Sequence, residues 1–212
     1  MPIVTALRAT RRGGVALHVD EAYVCVVSES LVARWRLFKG RELEESDVAD
    51  IRSASSAERV MGDAYSLLGH RARSREELRR RLLAKEHEEH AVEEALERLA
   101  ADGFLDDVAF ARSYVADKRR LQSWGAERIA RGLRQLGVDR TVIDEALGAG
   151  GGEEGAELDR ALALLRRRGA PEQPLEAARR RAFQALQRRG FSSSVAYAAV
   201  RLWVDGEPPR SN

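Results

Sequence analysis

The run His87-Glu88-Glu89-His90 is the first place in this sequence where side chains could do chemistry. It is similar to a metalloprotease motif, in which two histidines bind zinc from one face of a helix. That motif needs the histidines at positions i and i+4, whereas here they stand at i and i+3. No cysteine lies nearby to complete a ligand set, so we predict no metal site here.

The other reactive groups form no catalytic arrangement either. Cys25 is the only cysteine and lies in an expected strand, so we interpret it as an inert core residue. Neither Gly13-Gly14 nor the glycine run 148–155 carries the Gly-Lys-Ser/Thr of a phosphate-binding loop. We therefore predict no catalytic residue, no cofactor and no metal, and hence no enzyme.

Arginine is the residue type that remains available for chemistry. Lys and Arg number 36 against 34 Asp and Glu, and only Lys39, Lys85 and Lys118 are lysines. GC-rich codon usage would give the same bias, but a guanidinium still suits carboxylates and phosphates better than an ammonium does. The candidate partner-binding residues form three clusters: Arg71, Arg73, Arg75, Arg79 and Arg81; Lys118, Arg119, Arg120, Arg128, Arg131 and Arg134; and Arg179 and Arg180.

A solvated helix surface is the competing interpretation for any single arginine in these clusters. Pairs such as Glu77–Arg81 and Glu94–Arg98 have the i,i+4 spacing of ordinary surface ion pairs, which contribute little. Acidic residues concentrate separately, over 86–97. This segregation favours a basic face on the folded chain.

The elements that must position these residues begin with a small β-rich module at residues 1–54. Residues 15–19 alternate between apolar and more polar types, and 23–27 is an apolar run, so both predict strands. Residues 3–9 are a candidate third strand, and 11–14 the turn after it.

A helical period replaces the strand pattern from Ser55 onward. Asp47–Ile51, just before it, predicts a short helix or the lead-in to one. Tyr65, Tyr114 and Trp203 fall on helices whose apolar faces favour a place in the core.

Helix ends are marked by short signals. Ser74 and Glu77 have the spacing of a capping box at a helix start. Gly103 fits the end of one helix, and the carboxylates of Asp106 and Asp107 suit the partly positive start of the next.

One pattern occurs three times in the helical part. Its first copy is Leu78, Leu82, His87, Val92, Ala95 and Leu96. Adding 51 gives Ile129, Leu133, Val138, Ile143, Ala146 and Leu147, and a further 53 gives Ala182, Leu186, Phe191, Ala196, Ala199 and Val200. Any two amphipathic helices share a period, but chance explains poorly why Gly137-Val138 and Gly190-Phe191 fill the same gap.

The predicted fold class is therefore mainly α, an elongated array of three tandem three-helix repeats after the β-rich module. The repeats span 55–103, 104–149 and 156–205. A glycine-rich linker at 150–155 leaves the third repeat on a flexible hinge, and 206–212 forms a disordered tail.

The segment Gly103-Phe104-Leu105-Asp106-Asp107-Val108-Ala109-Phe110-Ala111 resembles the central signature of the RecX family, bacterial regulators of the RecA recombinase. Arg71–Leu78 is similar to the opening of that family's first repeat, and Arg189–Phe191 to a segment near its end. The family usually has Lys-Gly-aromatic where this chain has Lys85-Glu86-His87. The structural motif residues are Ser74, Glu77, Gly103, Phe104, Leu105, Asp106, Asp107, Phe110, Gly137, Gly190 and Phe191.

The resemblance implies a regulator that binds RecA and RecA–DNA filaments and restrains filament extension, ATP hydrolysis and strand exchange. It also implies weak binding to single- and double-stranded DNA without sequence specificity. No apolar run is long enough for a signal peptide or a membrane span, so we expect a cytoplasmic protein with no membrane partner.

Two other binding functions stay open at this point. Three-helix units are superficially similar to helix-turn-helix domains, which would make the chain a direct DNA-binding protein. A net charge of only +2 argues against that class. A helical scaffold for another protein would show indifference to both RecA and DNA.

Overall fold

A computed structural model describes residues 1–11, 13–148 and 153–205, with the side chains of Glu153 and Glu154 left out. These residues form three strands and ten helices. They divide into two compact units, Met1–Ala72 with Leu78–Leu105 and Arg73–Glu77 with Asp106–Asn212. The mainly helical fold class with an N-terminal sheet is confirmed.

The N-terminal sheet has the predicted three strands in the order β1-β2-β3, all antiparallel. They are β1 (Val4–Ala9), β2 (Val15–Val19) and β3 (Ala22–Val27). Helix α1 (Glu29–Arg34), which the sequence pattern did not reveal, follows with Ser28 as its N-cap. Buried apolar side chains from the sheet, α1 and the next helix form one core.

Helix α2 (Glu45–His70) is a single helix of 26 residues. Its first half packs on the sheet, where Ile51 is buried and Ser55 Oγ donates to the Val26 carbonyl at 2.6 Å. Its second half places Val60 and Ala64 in the core of the first repeat. The boundary predicted between residues 54 and 55 therefore falls inside one helix, and the lead-in expected before it is the start of that helix.

Nine helices, counting the second half of α2, make up the three repeats within the described ranges. Repeat 1 adds α3 (Arg75–Leu83) and α4 (Glu89–Ala101); repeat 2 has α5 (Asp107–Gln122), α6 (Ala126–Gln135) and α7 (Arg140–Gly148); repeat 3 has α8 (Glu153–Arg166), α9 (Leu175–Arg188) and α10 (Ser193–Asp205). The last helices of the repeats begin at 89, 140 and 193, so their starts are separated by the same 51 and 53 residues found in the sequence.

Each repeat encloses its own apolar core. Of the eighteen positions in the repeated pattern, seventeen are buried and Leu147 is half-buried. Burial of one large aliphatic side chain stabilises the fold by about 1.5–3 kcal/mol. The repeated pattern is therefore the set of side chains that holds each three-helix unit together.

The linker predicted at 150–155 overlaps a helix, because α8 begins at Glu153 and includes Gly155. Residues 149–152 and the tail 206–212 lie outside the described residues. The carboxylate of Glu157, in the second turn of α8, accepts a hydrogen bond from the Ala126 amide at 2.7 Å. Repeat 3 is therefore held to repeat 2 by direct bonds as well as by the connecting chain.

The turn after the middle helix of each repeat shows why this position is glycine in repeats 2 and 3. Gly137 and Gly190 have φ of +80° and +84°, a left-handed conformation that favours glycine. The amides of the next residues, Val138 and Phe191, bond the carbonyls of Leu133 and Leu186. In repeat 1 the same position is Glu86, and it adopts φ +63° without glycine's freedom. The departure from the Lys-Gly-aromatic pattern thus changes the residue while the turn is retained.

Candidate partner interface

Trp124 organises the cations of the second arginine cluster. Ser123, in the left-handed conformation, caps the end of α5, and Gly125 is the N-cap of α6, so Trp124 lies in the turn between them. The Arg128 guanidinium lies 4.1 Å and the Lys118 ammonium 4.8 Å from the centre of its ring. Such cation–π contacts favour positive charge over an aromatic face. Trp124 is half-buried and serves as a support for charged groups.

A groove of about 430 Å³, which we call the basic groove, lies beside this cluster. Arg128, Arg131 and Arg188 line it together with a single carboxylate, that of Glu127. Its apolar side includes Tyr114, whose pKa is raised above its ordinary value by burial, which is opposed by the nearby Arg128 charge. The groove therefore combines three guanidinium donors with aromatic surface, the chemistry that suits phosphates and unstacked bases.

Only part of the predicted second cluster is brought together here. Arg119 turns away and donates to the Leu147 carbonyl at 3.1 Å. Arg120 lies 3.5 Å from Asp117 on its own helix. Arg134 is exposed and lies one turn along α6 from Arg131, so the two share a face of that helix.

The first cluster is divided between buried and exposed arginines. Arg73 was predicted to contact a partner, but it is buried and pairs with the Glu77 carboxylate at 2.6 Å. Arg79 forms ion pairs with Glu89 and Glu93 of α4. The exposed members are Arg71 and Arg81, with Arg75 half-buried.

Arg73 is therefore removed from the candidate surface, because an arginine buried against a carboxylate has its donors directed inward. The third cluster gives a mixed outcome too. Arg179 bonds both Glu176 and Asp205, whereas Arg180 is exposed on the same helix.

The backbone contact between repeats 2 and 3 brings in arginines that the predicted site residues do not include. The Gly125 amide donates to the Arg189 carbonyl at 2.9 Å, and the Glu127 amide to the Gly190 carbonyl at 3.1 Å. The Arg128 guanidinium donates to the Arg188 carbonyl at 3.1 Å. We call these contacts the repeat 2–3 joint.

The joint brings Arg188 to the lining of the basic groove, although Arg188 is 60 residues from Arg128 in the sequence. The arginine run 188–189 was visible in the sequence, but no local pattern places it beside α6. The repeat register was the one feature of the sequence that could have helped to place this run, since it aligns the Gly190 turn with the Gly137 turn.

The segment Arg73–Glu77 makes matching bonds within the second unit. Ser74, which the 51-residue offset aligns with Gly125, donates from Oγ to the Leu136 carbonyl at 2.5 Å, and Leu136 aligns with Arg189. The Arg75 amide donates to Asp107 as the Ala126 amide does to Glu157. Aligned positions of the repeat therefore make similar hydrogen bonds twice within the second unit.

The capping role predicted for Ser74 is present as well. Ser74 Oγ accepts a hydrogen bond from the Glu77 amide at 3.1 Å, so one hydroxyl caps α3 and donates to Leu136. Asp106 likewise caps α5 by accepting from the Ala109 amide at 2.9 Å.

Tyr65 departs from the expectation of a place in the core. Tyr65 and Phe104 are both exposed, and their rings meet edge to face with centroids 5.3 Å apart. Trp203 is half-buried against the core of repeat 3, and its indole N–H donates to the Gly169 carbonyl.

His87 is a structural residue. It is buried, and its Nε2 lies 2.7 Å from the Asp63 carboxylate, which also bonds Lys85. Among residues 1–11, 13–148 and 153–205, no group of three or more His, Cys, Asp or Glu side chains could hold a metal ion. Burial raises the pKa of the Cys25 thiol, which disfavours the reactive thiolate. No helix in the described part of the chain is long and apolar enough to cross a membrane.

The helices define a tandem three-helix repeat protein, and its second repeat carries a groove lined by arginines. Family models for the first, second and third three-helix domains of RecX match residues 61–99, 106–147 and 156–200. The chain belongs to the RecX family, which is a family of regulatory proteins.

Two curated relatives illustrate the similarity. Regulatory protein RecX of Limosilactobacillus reuteri is 33% identical over 201 residues, covering 93% of this chain and 75% of the relative. Regulatory protein RecX of Listeria monocytogenes is 29% identical over 186 residues, covering 87% of this chain and 68% of the relative.

Two solved structures share the fold. A crystal structure of regulatory protein RecX has a TM-score of 0.65 and 28% identity, covering 92% of this chain and 97% of that one. RecX from Lactobacillus salivarius has a TM-score of 0.63 over 70% of this chain and 96% of that one, and at 19% identity it supports the fold alone.

Proposed function

We propose that this protein binds the RecA recombinase and RecA–DNA filaments in the cytoplasm and restrains their activity without catalysing a reaction itself. Membership of the RecX family across all three helical domains carries the proposal. The activities restrained are filament extension, ATP hydrolysis and strand exchange.

The basic groove supports the proposal, since a nucleoprotein filament offers both phosphates and carboxylates. Arg128, Arg131 and Arg188 present guanidinium groups that bind either anion. Trp124 and Tyr114 add aromatic surface beside them. Contacts of this kind are individually weak, and several made at once along a filament multiply in strength.

Binding to free DNA follows from the same groove but is expected to be weak. The net charge of +2 gives little long-range attraction for a polyanion. Phosphate contacts carry no sequence information, so single- and double-stranded DNA should bind without specificity and lose affinity steeply with added salt.

The direct test is to titrate the protein into a RecA DNA-dependent ATPase assay. We expect ATP hydrolysis to fall as the protein is added, and the protein to co-sediment with RecA–DNA filaments. A protein that neither inhibits hydrolysis nor sediments with filaments contradicts the proposal.

A footprinting experiment separates this function from direct sequence-specific DNA binding. Nuclease protection on a mixed-sequence duplex without RecA should show no preferred site. A defined footprint would favour the helix-turn-helix alternative, because base-specific contacts protect particular sequences.

A further inference from the structure

Repeat 3 carries a second groove, between α9 and α10, which is separate from the basic groove. Its volume is about 580 Å³, and Phe183, Tyr197 and Val200 form its apolar surface. Tyr197 is 67% exposed, which is unusual for so large an aromatic side chain. Arg180 and Arg201 stand at the rim.

The repeat register indicates that the fold does not require this apolar groove. The 53-residue offset aligns Phe183 with Ala130 and Tyr197 with Asp144 in repeat 2. In repeat 1 the corresponding residues are Arg79 and Glu93, which form an ion pair across α3 and α4. Two of the three repeats thus build the same helix pair with other residues. In repeat 3, Phe183 also packs against the core, whereas the exposed Tyr197 is available for binding.

The charges at the rim indicate what the groove would bind. Both carboxylates, Glu176 and Asp205, bond the Arg179 guanidinium at 3.1 and 3.0 Å. Within the described part of the chain, Arg180 and Arg201 are exposed and make no ion pair. An apolar surface beside two available guanidinium groups complements a partner that presents an apolar side chain flanked by carboxylates.

We propose that the α9–α10 groove binds an acidic peptide segment of a protein partner. An aromatic or aliphatic side chain of that segment packs on Phe183 and Tyr197, and its carboxylates pair with Arg180 and Arg201. This goes beyond the proposed function, because a peptide would bind here without DNA. Nucleic acid is the alternative occupant, and the test below distinguishes it from a peptide.

The test uses the full chain labelled with ¹⁵N and an acetylated, amidated hexapeptide of sequence DEFLED. Titration should give saturable chemical-shift changes in the amides of α9 and α10. The same peptide with serine in place of its Phe and Leu, or with amides in place of its carboxylates, should bind at least about tenfold more weakly, because an anchor and its charged neighbours each contribute.

Variants of the protein give the matched comparison. Tyr197→Asp introduces the residue that repeat 2 already has at this position, so the fold should be preserved while affinity falls about tenfold or more. Arg180→Glu with Arg201→Glu should weaken binding similarly. Arg167→Glu, an exposed arginine after α8 and outside the groove lining, should leave it unchanged.

Three outcomes overturn the proposal. One is no peptide binding at millimolar concentration, and another is binding that the groove variants leave unchanged. The third is that a single-stranded oligonucleotide, or a second copy of the chain at high protein concentration, shifts the same amides when the peptide does not. None of these outcomes bears on whether the protein inhibits RecA. A failure of this proposal can therefore be told apart from a failure of the proposed function.

Discussion

Gly125 and Gly190 lie so close that a Cβ on Gly125 would overlap the Gly190 carbonyl. A Cβ on Gly190 would in turn overlap the backbone and Cβ of Arg128. The two glycines serve different needs. Gly190 requires its φ of +84°, whereas Gly125 has an ordinary φ of −79° and needs only the space.

We therefore expect Gly125→Ala to lower the free energy of unfolding of the second unit by about 2–3 kcal/mol, through overpacking against backbone that cannot move aside. Gly190→Ala should cost about 1–2 kcal/mol more because of its left-handed conformation. Urea unfolding followed by tryptophan fluorescence, to which Trp124 and Trp203 of this unit contribute, measures both. The control is Gly62→Ala in α2, where a Cβ meets no neighbour and alanine should stabilise the helix. Equal stability of Gly125→Ala and the unaltered chain would contradict the close approach.

Glu86 holds a left-handed conformation in repeat 1 where repeats 2 and 3 have glycine. Glu86→Gly should raise the free energy of unfolding by roughly 0.5–1 kcal/mol, because relief of strain exceeds the added entropy of the unfolded chain. The urea midpoint measures the gain. Glu88→Gly is the matched control, since Glu88 has φ −66° and no strain to relieve. A loss of stability in Glu86→Gly would contradict this prediction. It would mean that the Glu86 side chain stabilises the fold by more than its left-handed conformation destabilises it.

Arg131, which lines the groove, and Arg134, one turn away on the same face of α6, are the exposed basic residues best suited to test this surface. Arg131→Glu with Arg134→Glu should weaken binding to filaments and to DNA, and should lower the salt slope of DNA binding by about 1 for each phosphate that the variant no longer binds. Fluorescence anisotropy with labelled oligonucleotide at several salt concentrations measures this slope. Arg140 is exposed on α7, and Arg140→Glu should change neither the binding nor the salt slope. An unchanged salt slope in the double variant would assign these arginines to ordinary solvated surface.

Charge reversal of Arg79 would be a less direct test of a binding face. Arg79→Glu would place a third carboxylate beside Glu89 and Glu93, and so would destabilise repeat 1 itself.

Asp63 joins α2 to the turn after α3 by bonding Lys85 and the buried His87. The Lys85 hydrogen bond, with a smaller contribution from His87, holds the pKa of this carboxyl below its ordinary value of 3.8. A depressed pKa in the folded state means that the stabilisation is present above that ordinary value and is lost as pH falls through the folded pKa.

Asp63→Ala should therefore cost about 1–2 kcal/mol at pH 7, which allows for the partial exposure of the carboxylate. The difference from the unaltered chain should shrink as the pH falls below 3.8. Thermal unfolding followed by circular dichroism between pH 7 and pH 3 measures the difference. A cost that stays constant over this range would assign the effect to packing alone.

Local signals were sufficient for most of the fold. The strand alternation, the helix period and the residues Ser74, Gly103 and Asp106 all predicted elements or ends that the structure contains. Helix α1 was missed, since its six residues carry too short a period to recognise. The candidate surface could be predicted only in part, because the sequence does not tell whether an arginine is exposed like Arg131 or buried like Arg73.

By itself the sequence determined the three helical repeats, their 51- and 53-residue register and the family, because hydrophobic periods and caps act between residues a few positions apart. Only the tertiary structure decided which side chains meet over long distances. It joined Ser74 to Leu136 and Arg128 to Arg188, 62 and 60 residues apart. It also placed two cations around Trp124, and both Phe183 and Tyr197 in the lining of the α9–α10 groove. These contacts depend on how helices pack against one another, and no local pattern along the chain encodes that packing.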